Sequence, residues 1–243
     1  MSTKNDKFTT KDKYFMRLAI NLARNNFGLT GDNPSVGCVI VKKNKLISSG
    51  HTSFNGRPHA EFNAINNTKS DLKGSTMYVT LEPCNHYGKT PPCTNLIIKK
   101  KIKKVIYSVN DIDKRTKNKT LKILKSKKIL VKSGLFRKNI TDFYNNYFLN
   151  RKKRIPYVTG KIAMSKNDII YSKKNKKITN MYSEKISHIL RYRNDSILIS
   201  YKTLNKDNPK LSCRINGLEN FSPNKIILDK NLKSKINSNI FNN

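Results

Sequence analysis

Apolar residues return at helical spacing in the stretch YFMRLAINLARN, residues 14 to 25, where Phe15, Ala19, Leu22 and Ala23 share one stripe. The chain is therefore expected to open with an amphipathic helix. GDNPSVG follows as a turn, and the period then changes. VGCVIVKKNKLISSG holds two β-rich runs about a polar KKNK turn and reads as a hairpin. Helix and strand alternate after it: a helix over 59 to 67, a strand at STMYVTLEP, a helix over 93 to 100, a strand at KKVIYSV, and a further helix and strand up to residue 133. A last helix, 137 to 149, carries Phe143, Tyr144, Tyr147 and Phe148, which read as a packing face. This alternation predicts a layered α/β domain.

At RKKRIP, residues 151 to 156, a charge run meets a proline that disfavours helix at the residue before it, so a second domain is expected to begin there. Residues 1–150 and 151–243 are taken as separate domains. Beyond the boundary, YVTGKIAMS, SILIS and KIILD read as strands. SEKISHILRYR reads as a helix with Ile186, Ile189 and Leu190 facing inward. The second domain is α/β as well.

Composition narrows the class. With 243 residues and 36% hydrophobic content the chain can bury a core. No run approaches the roughly eighteen apolar residues of a membrane helix, and the first fifteen residues lack the apolar middle of a secretory signal. A cytoplasmic location with no membrane partner is expected. The four cysteines, Cys38, Cys84, Cys93 and Cys213, then read as thiols or metal ligands, with Cys38 inside an apolar strand as a core residue. The formal charge of +35 would suit a polyanion. The lysines, however, are spread among asparagines and isoleucines along the whole chain, as in AT-rich coding, and alternate with core positions as solvated faces do. No specific nucleic-acid partner is expected, while small anionic substrates would be attracted.

The chemistry concentrates between residues 58 and 93. PHAEFNAINN places His59 and Glu61 at a helix start, and TLEPCNHYGKTPPC supplies Cys84 and Cys93 about a polar, proline-bounded loop. One imidazole and two thiolates make a three-ligand zinc set whose fourth position stays open, as catalysis requires. Bound zinc brings a water within reach of deprotonation near neutral pH, and Glu61 is the carboxylate placed to move protons. The order H-A-E, strand, P-C, and a second cysteine opening a helix is that of zinc deaminases, apart from the cysteine spacing. A zinc-stabilised nucleic-acid-binding protein is the rival from a different class; a deaminase of bases within nucleic acid is another. A structural zinc takes four protein ligands, which speaks against the first.

With NPSVGCVIV before it, this motif set resembles the deaminase domain of the bifunctional riboflavin biosynthesis deaminase/reductase, the RibD family. Eight residues separate Cys84 from Cys93, where deaminases of cytidine or transfer RNA usually have two. The RibD family carries an H-x-G-x-T-P-P insert, present here as His86, Gly88, Thr90, Pro91 and Pro92. The resemblance implies a cytidine deaminase-like α/β/α sandwich and one zinc per chain on His59, Cys84 and Cys93. It implies Glu61 as proton shuttle and a phosphorylated diaminohydroxypyrimidine as substrate. Asn33, His86 and Lys89 are similar to positions that contact that substrate.

The second domain resembles the same family's dihydrofolate reductase-like part, which uses NADPH. TLNKDNPKLSCR is similar to its T-x-x-x-D-x-P-x-L-x-x-R element. The resemblance implies Ala163, Thr203 and Asp207 near the dinucleotide and Arg191, Leu211 and Arg214 facing the substrate. SKND stands where the family has S-L-D-G, Lys177-Ile178-Thr179 where it has W-I-T, and SYK in place of a small Gly-containing stretch. The family's Gly-rich phosphate-cradling stretch is also missing from this sequence. This part is therefore expected to be an incomplete dihydrofolate reductase-like domain, inactive by itself. Nothing in the sequence fixes whether the chain forms a homo-oligomer.

Overall fold

The computed structural model describes residues 7–170 and 178–241. Lys177, one of the positions that depart from the family pattern, lies outside them. The chain divides between Val158 and Thr159 into two compact units.

The first unit is a three-layer α/β/α sandwich. Helix α1 (Thr10–Asn25) is closed at its start by a capping box: the Thr9 hydroxyl accepts from the Asp12 amide, and the Asp12 carboxylate accepts from the Thr9 amide. Its apolar stripe buries Phe15, Met16, Ala19 and Ala23. Strands β1 (Gly37–Lys42) and β2 (Lys45–His51) form the hairpin, turning at Lys43 and Asn44 with φ of 50° and 62°. Both central residues at positive φ match the right-handed twist of the flanking strands. There follow α2 (Ala60–Asn66), β3 (Thr76–Leu81), α3 (Cys93–Lys99), β4 (Lys104–Val109), α4 (Thr120–Ser126) and β5 (Leu130–Ser133).

The sheet order is β2-β1-β3-β4-β5, with β1 antiparallel to β2 and β3, and β3, β4 and β5 parallel. Its central strands are buried on both faces, as their unbroken apolar runs require. Cys38, Ile40, Met77, Val79, Leu81, Val105 and Tyr107 pack on the side of Ala60, Ala64 and Ile97. Val39, Val41, Tyr78 and Ile106 pack on the side of Phe15, Met16 and Ala19. Cys38 is thus the core residue that its strand position suggests. Close helix-to-sheet approach depends on two glycines: a Cβ on Gly37 would lie 1.8 Å from the Ala19 carbonyl oxygen, and one on Gly50 would lie 2.4 Å from the Ala64 amide nitrogen.

The helix expected over 137 to 149 is two, α5 (Arg137–Phe143) and α6 (Asn145–Lys153), broken at Tyr144. Tyr144 is fully buried; its hydroxyl donates to the Ser35 carbonyl and shares a hydrogen bond with Thr80. Anchoring one side chain that deep fixes the chain at the junction between the two helices. Helix α6 carries through residues 151 to 153, where the sequence places a domain entry; Arg151, Lys152 and Lys153 occupy its last turn, which the helix dipole favours for cations.

In the second unit, α7 (Met181–Tyr192) is capped by the Asn180 side chain. It precedes β6 (Ser196–Ser200), α8 (Tyr201–Asp207) and β7 (Asn224–Leu228), with β6 and β7 parallel. A small core of Leu204, Leu211 and Ile240 packs with Ile197, Ile199 and Ile227. Two expectations fail here. Residues 157–165 form no strand, because a strand needs a ladder partner and none of the described residues supplies one. Ile186 and Ile189 are 58% and 38% exposed, not inward-facing, since the small core gathers around α8 and the strands. No helix of the described residues is long and apolar enough to cross a membrane.

Candidate metal centre

Two helix starts and one strand end converge in the first unit. His59 is the N-cap of α2, in an extended conformation, and its side chain caps none of that helix's amides, which leaves the imidazole to face elsewhere. Glu61 sits in the first turn, buried. β3 ends at Leu81, and Glu82-Pro83 carries the chain on to Cys84; Cys93 opens α3 directly behind Pro92. The ligating atoms of His59, Cys84 and Cys93 lie within 4.8 Å of one another. His59 Nδ1 is 3.6 Å from Cys84 Sγ and 3.5 Å from Cys93 Sγ, and the Cys93 amide donates to Cys84 Sγ at 3.3 Å. Two sulfurs and one imidazole nitrogen are a donor set suited to zinc, and three donors leave a tetrahedral position for water or substrate.

The set is electrostatically poised. The hydrogen bond with Cys93 holds Cys84 down at about 4 against the opposing effect of burial, with His59 assisting. Cys93 is correspondingly pushed up by its contact with Cys84 and by burial. The hydrogen bond with Cys84 raises His59, with burial opposing. Burial lifts Glu61 to about 7, the charge at Cys84 adding to the rise and His59 opposing it.

The cavity beside these groups has a volume of about 480 Å³. His59, Glu61 and Cys84 line it, together with Asn33, His86 and Lys89. Cys93 is buried with them. Asn33 is anchored by its Nδ2 donating to the Gly56 carbonyl at 3.2 Å, and His86 Nδ1 lies 3.1 Å from the Thr116 hydroxyl. Sequence reasoning did not place Arg57, Asp111, Asp113, Arg115 or Arg151 at the site, and read Tyr147 only as packing; all six complete much of the wall. Arg57 donates to the Thr90 hydroxyl and so ties the α2 entry to the inter-cysteine loop. Asp111 and Asp113 follow β4, at the carboxyl end of a parallel strand, where open α/β sheets bind ligands; that position was the available signal. Tyr147 of the aromatic helix packs on the core and also donates to Asp111 at 3.1 Å.

The other six candidate residues fall in the second unit. Ala163 lines a cavity of about 400 Å³ with Thr179, Asn180 and Leu190, among others. Thr203 and Asp207 are exposed on α8. Leu211 is in the small core. Arg191 donates to the Ser212 carbonyl at 3.1 Å, and the Arg214 amide lies 3.1 Å from His188 Nδ1.

Residues 9–109 match the family described as cytidine and deoxycytidylate deaminase zinc-binding region. The chain is 35% identical over 233 residues to the riboflavin biosynthesis protein RibD of Aquifex aeolicus, an alignment covering 95% of this chain and 65% of that one. It is 42% identical over 146 residues to the diaminohydroxyphosphoribosylamino-pyrimidine deaminase of Buchnera aphidicola from Schizaphis graminum, covering 60% of this chain and 99% of that one. A crystal structure of a diaminohydroxyphosphoribosylaminopyrimidine deaminase/5-amino-6-(5-phosphoribosylamino)uracil reductase from Thermotoga maritima superposes with a TM-score of 0.87 at 33% identity. That match covers 95% of this chain and 67% of that one. The chain thus spans about two thirds of the length of the bifunctional relatives, and all of the length of the deaminase alone. The expected cytidine deaminase-like α/β fold is borne out, and the donor set fits the zinc of that family.

Proposed function

The chain belongs to the RibD family, and from that premise we propose that residues 1–150 are a zinc-dependent deaminase of a phosphorylated diaminohydroxypyrimidine, acting in riboflavin biosynthesis. The observation that carries this is the convergence of His59, Cys84 and Cys93 beside a buried Glu61 on one cavity. His59, Cys84 and Cys93 would hold one zinc per chain; when bound, that ion supplies Lewis-acid activation of water at neutral pH.

The chain's own residues account for the rest. Hydrolytic deamination adds a water oxygen to the amine-bearing ring carbon and breaks the carbon–nitrogen bond, so that the ring gains a carbonyl and ammonia leaves. Of the water's two protons, one ends on the ring nitrogen beside the reacting carbon and one on the departing amine, which leaves as ammonia. Glu61 is buried on the cavity wall, two positions from His59 and in no ligand position, so its carboxylate takes a proton from the water and hands it to the leaving nitrogen. Asn33 and His86, both held by hydrogen bonds to neighbouring chain, orient the ring, and Lys89 on the same wall faces the anionic end. Four free cysteines suit a reducing cytoplasm.

For residues 151–243 we propose no NADPH-dependent reduction by this chain alone. Ala163 lines the cavity of this unit, while Thr203 and Asp207 are exposed on α8 and Leu211 is packed in the small core.

The test is Glu61→Gln assayed for ammonia release from the pyrimidine substrate. A fall of about 10²- to 10⁴-fold with zinc content unchanged is expected for loss of a general acid–base. Undiminished release would remove Glu61 from the chemistry.

A further inference from the structure

We infer that Glu82 is a positioning residue for substrate binding, clamping the loop of residues 110–119 against the cavity through main-chain amides. Glu82 is 3% exposed, and its carboxylate accepts three hydrogen bonds. Oε2 takes the amides of Asp111 and Asn118, each at 3.2 Å, and Oε1 takes that of Thr120 at 3.3 Å. One side chain thus holds both ends of the loop, which between those anchor points brings Asp111, Asp113 and Arg115 to the cavity wall.

The residues after Glu82 reinforce the same seam. The Thr120 hydroxyl donates to the Pro83 carbonyl at 2.7 Å, and the Asn85 amide group donates to the Thr116 carbonyl and the Thr120 hydroxyl. The strand end that delivers Cys84 is therefore stitched to the loop that brings Asp111, Asp113 and Arg115 to the same cavity.

A buried carboxylate on the same cavity as the buried Asp111 is an expensive way to fill space unless its oxygens are taken up, as they are here by three amides. An apolar residue of similar size would leave three amides unpaired. Glutamine would offer one acceptor oxygen and turn an NH₂ group toward a donor amide. Glu82 itself lines the cavity, but both its carboxylate oxygens are engaged by main-chain amides; it acts through Asp111, Asp113 and Arg115, and so should govern binding more than turnover. The kinetic half of this inference rests on the deaminase reading; the loop clamp itself does not.

Two measurements decide it. In Glu82→Gln, KM for the pyrimidine substrate should rise about tenfold with kcat within about threefold and zinc content unchanged, the signature of lost uniform binding. An unchanged KM, with kcat falling in proportion to zinc content, would mean a merely structural role and would overturn the assignment. Should that variant fail to fold, amide exchange on the unsubstituted chain is the deciding readout. The amides of Asp111, Asn118 and Thr120 should exchange at least about a hundredfold slower than unprotected loop amides; free exchange at all three overturns the clamp. If the unsubstituted enzyme released no ammonia, the deaminase reading would fall while the exchange result still judged the clamp.

Discussion

Cys84 Sγ lies 3.6 Å from His59 Nδ1 although 25 positions separate them in the chain. That approach is built by two independent devices, the end of β3 and the start of α2, and each is held from behind by the core. The fold therefore brings the two donors together from distant parts of the chain. Cys84→Ala should accordingly lose zinc, by about 10-fold or more in affinity even though the fold persists, because two donors remain where three are needed. Elemental analysis beside a thermal melt checks this; full zinc content in Cys84→Ala would place the ion elsewhere.

A second relationship concerns stability. The buried Asp12 carboxylate accepts from the Tyr78 hydroxyl at 2.9 Å and pairs with Lys104 at 3.3 Å, besides closing the α1 capping box. Burial pushes Asp12 up, but the Thr9 amide, Tyr78 and Lys104 together outweigh it and hold its carboxyl below the usual range. A carboxyl whose folded-state pKa is depressed contributes stability that is present above its unfolded value, near 3.9, and is lost as pH falls through the folded value. Urea unfolding should show Asp12→Asn less stable than the parent by about 1–3 kcal/mol at pH 7, with the gap closing below about pH 4. A gap independent of pH would contradict the charged role.

Gly37 tests the packing of α1 directly. With a Cβ placed 1.8 Å from the Ala19 carbonyl oxygen, backbone against backbone, Gly37→Ala must push α1 away from β1. A loss of about 3 kcal/mol or more is expected, above the usual range for overpacking because no flexible side chain can yield. Thermal unfolding measures it, and an unchanged melting temperature would mean that α1 is not seated as described.

The formal charge of +35 offers the rival reading its own test. If the charge is a diffuse solvated surface, affinity for RNA or DNA should collapse by about 10³-fold or more between 50 and 200 mM salt and show no sequence preference. Specific binding that survives physiological salt would favour a nucleic-acid partner.

How much of this was legible in the sequence follows from where each residue stands. His59, Glu61, Cys84 and Cys93 could be read because they fall in two short motifs whose spacing places them on helix starts and a strand end. The sandwich could be read because its strands alternate or run apolar between clear turns. Asp111, Asp113, Arg115 and Tyr147 were not read as site residues, since no local motif marks them; the signal for the two aspartates was topological, the carboxyl end of the parallel strand β4, and α6 brings Tyr147 to the same cavity. Tyr147 served both purposes, core packing and cavity wall, and an aromatic helix face signals only the first. YVTGKIAMS shows the converse: strand composition for which no ladder partner stands among the described residues yields no strand.

The central claim is that three side chains of this chain bind one catalytic zinc. The most direct measurement is elemental analysis of protein purified without added metal. About one zinc per chain, lost together with deaminase activity on chelation and recovered with it on zinc addition, is the predicted result. Protein that releases ammonia from the pyrimidine at full rate while containing no divalent metal would contradict it.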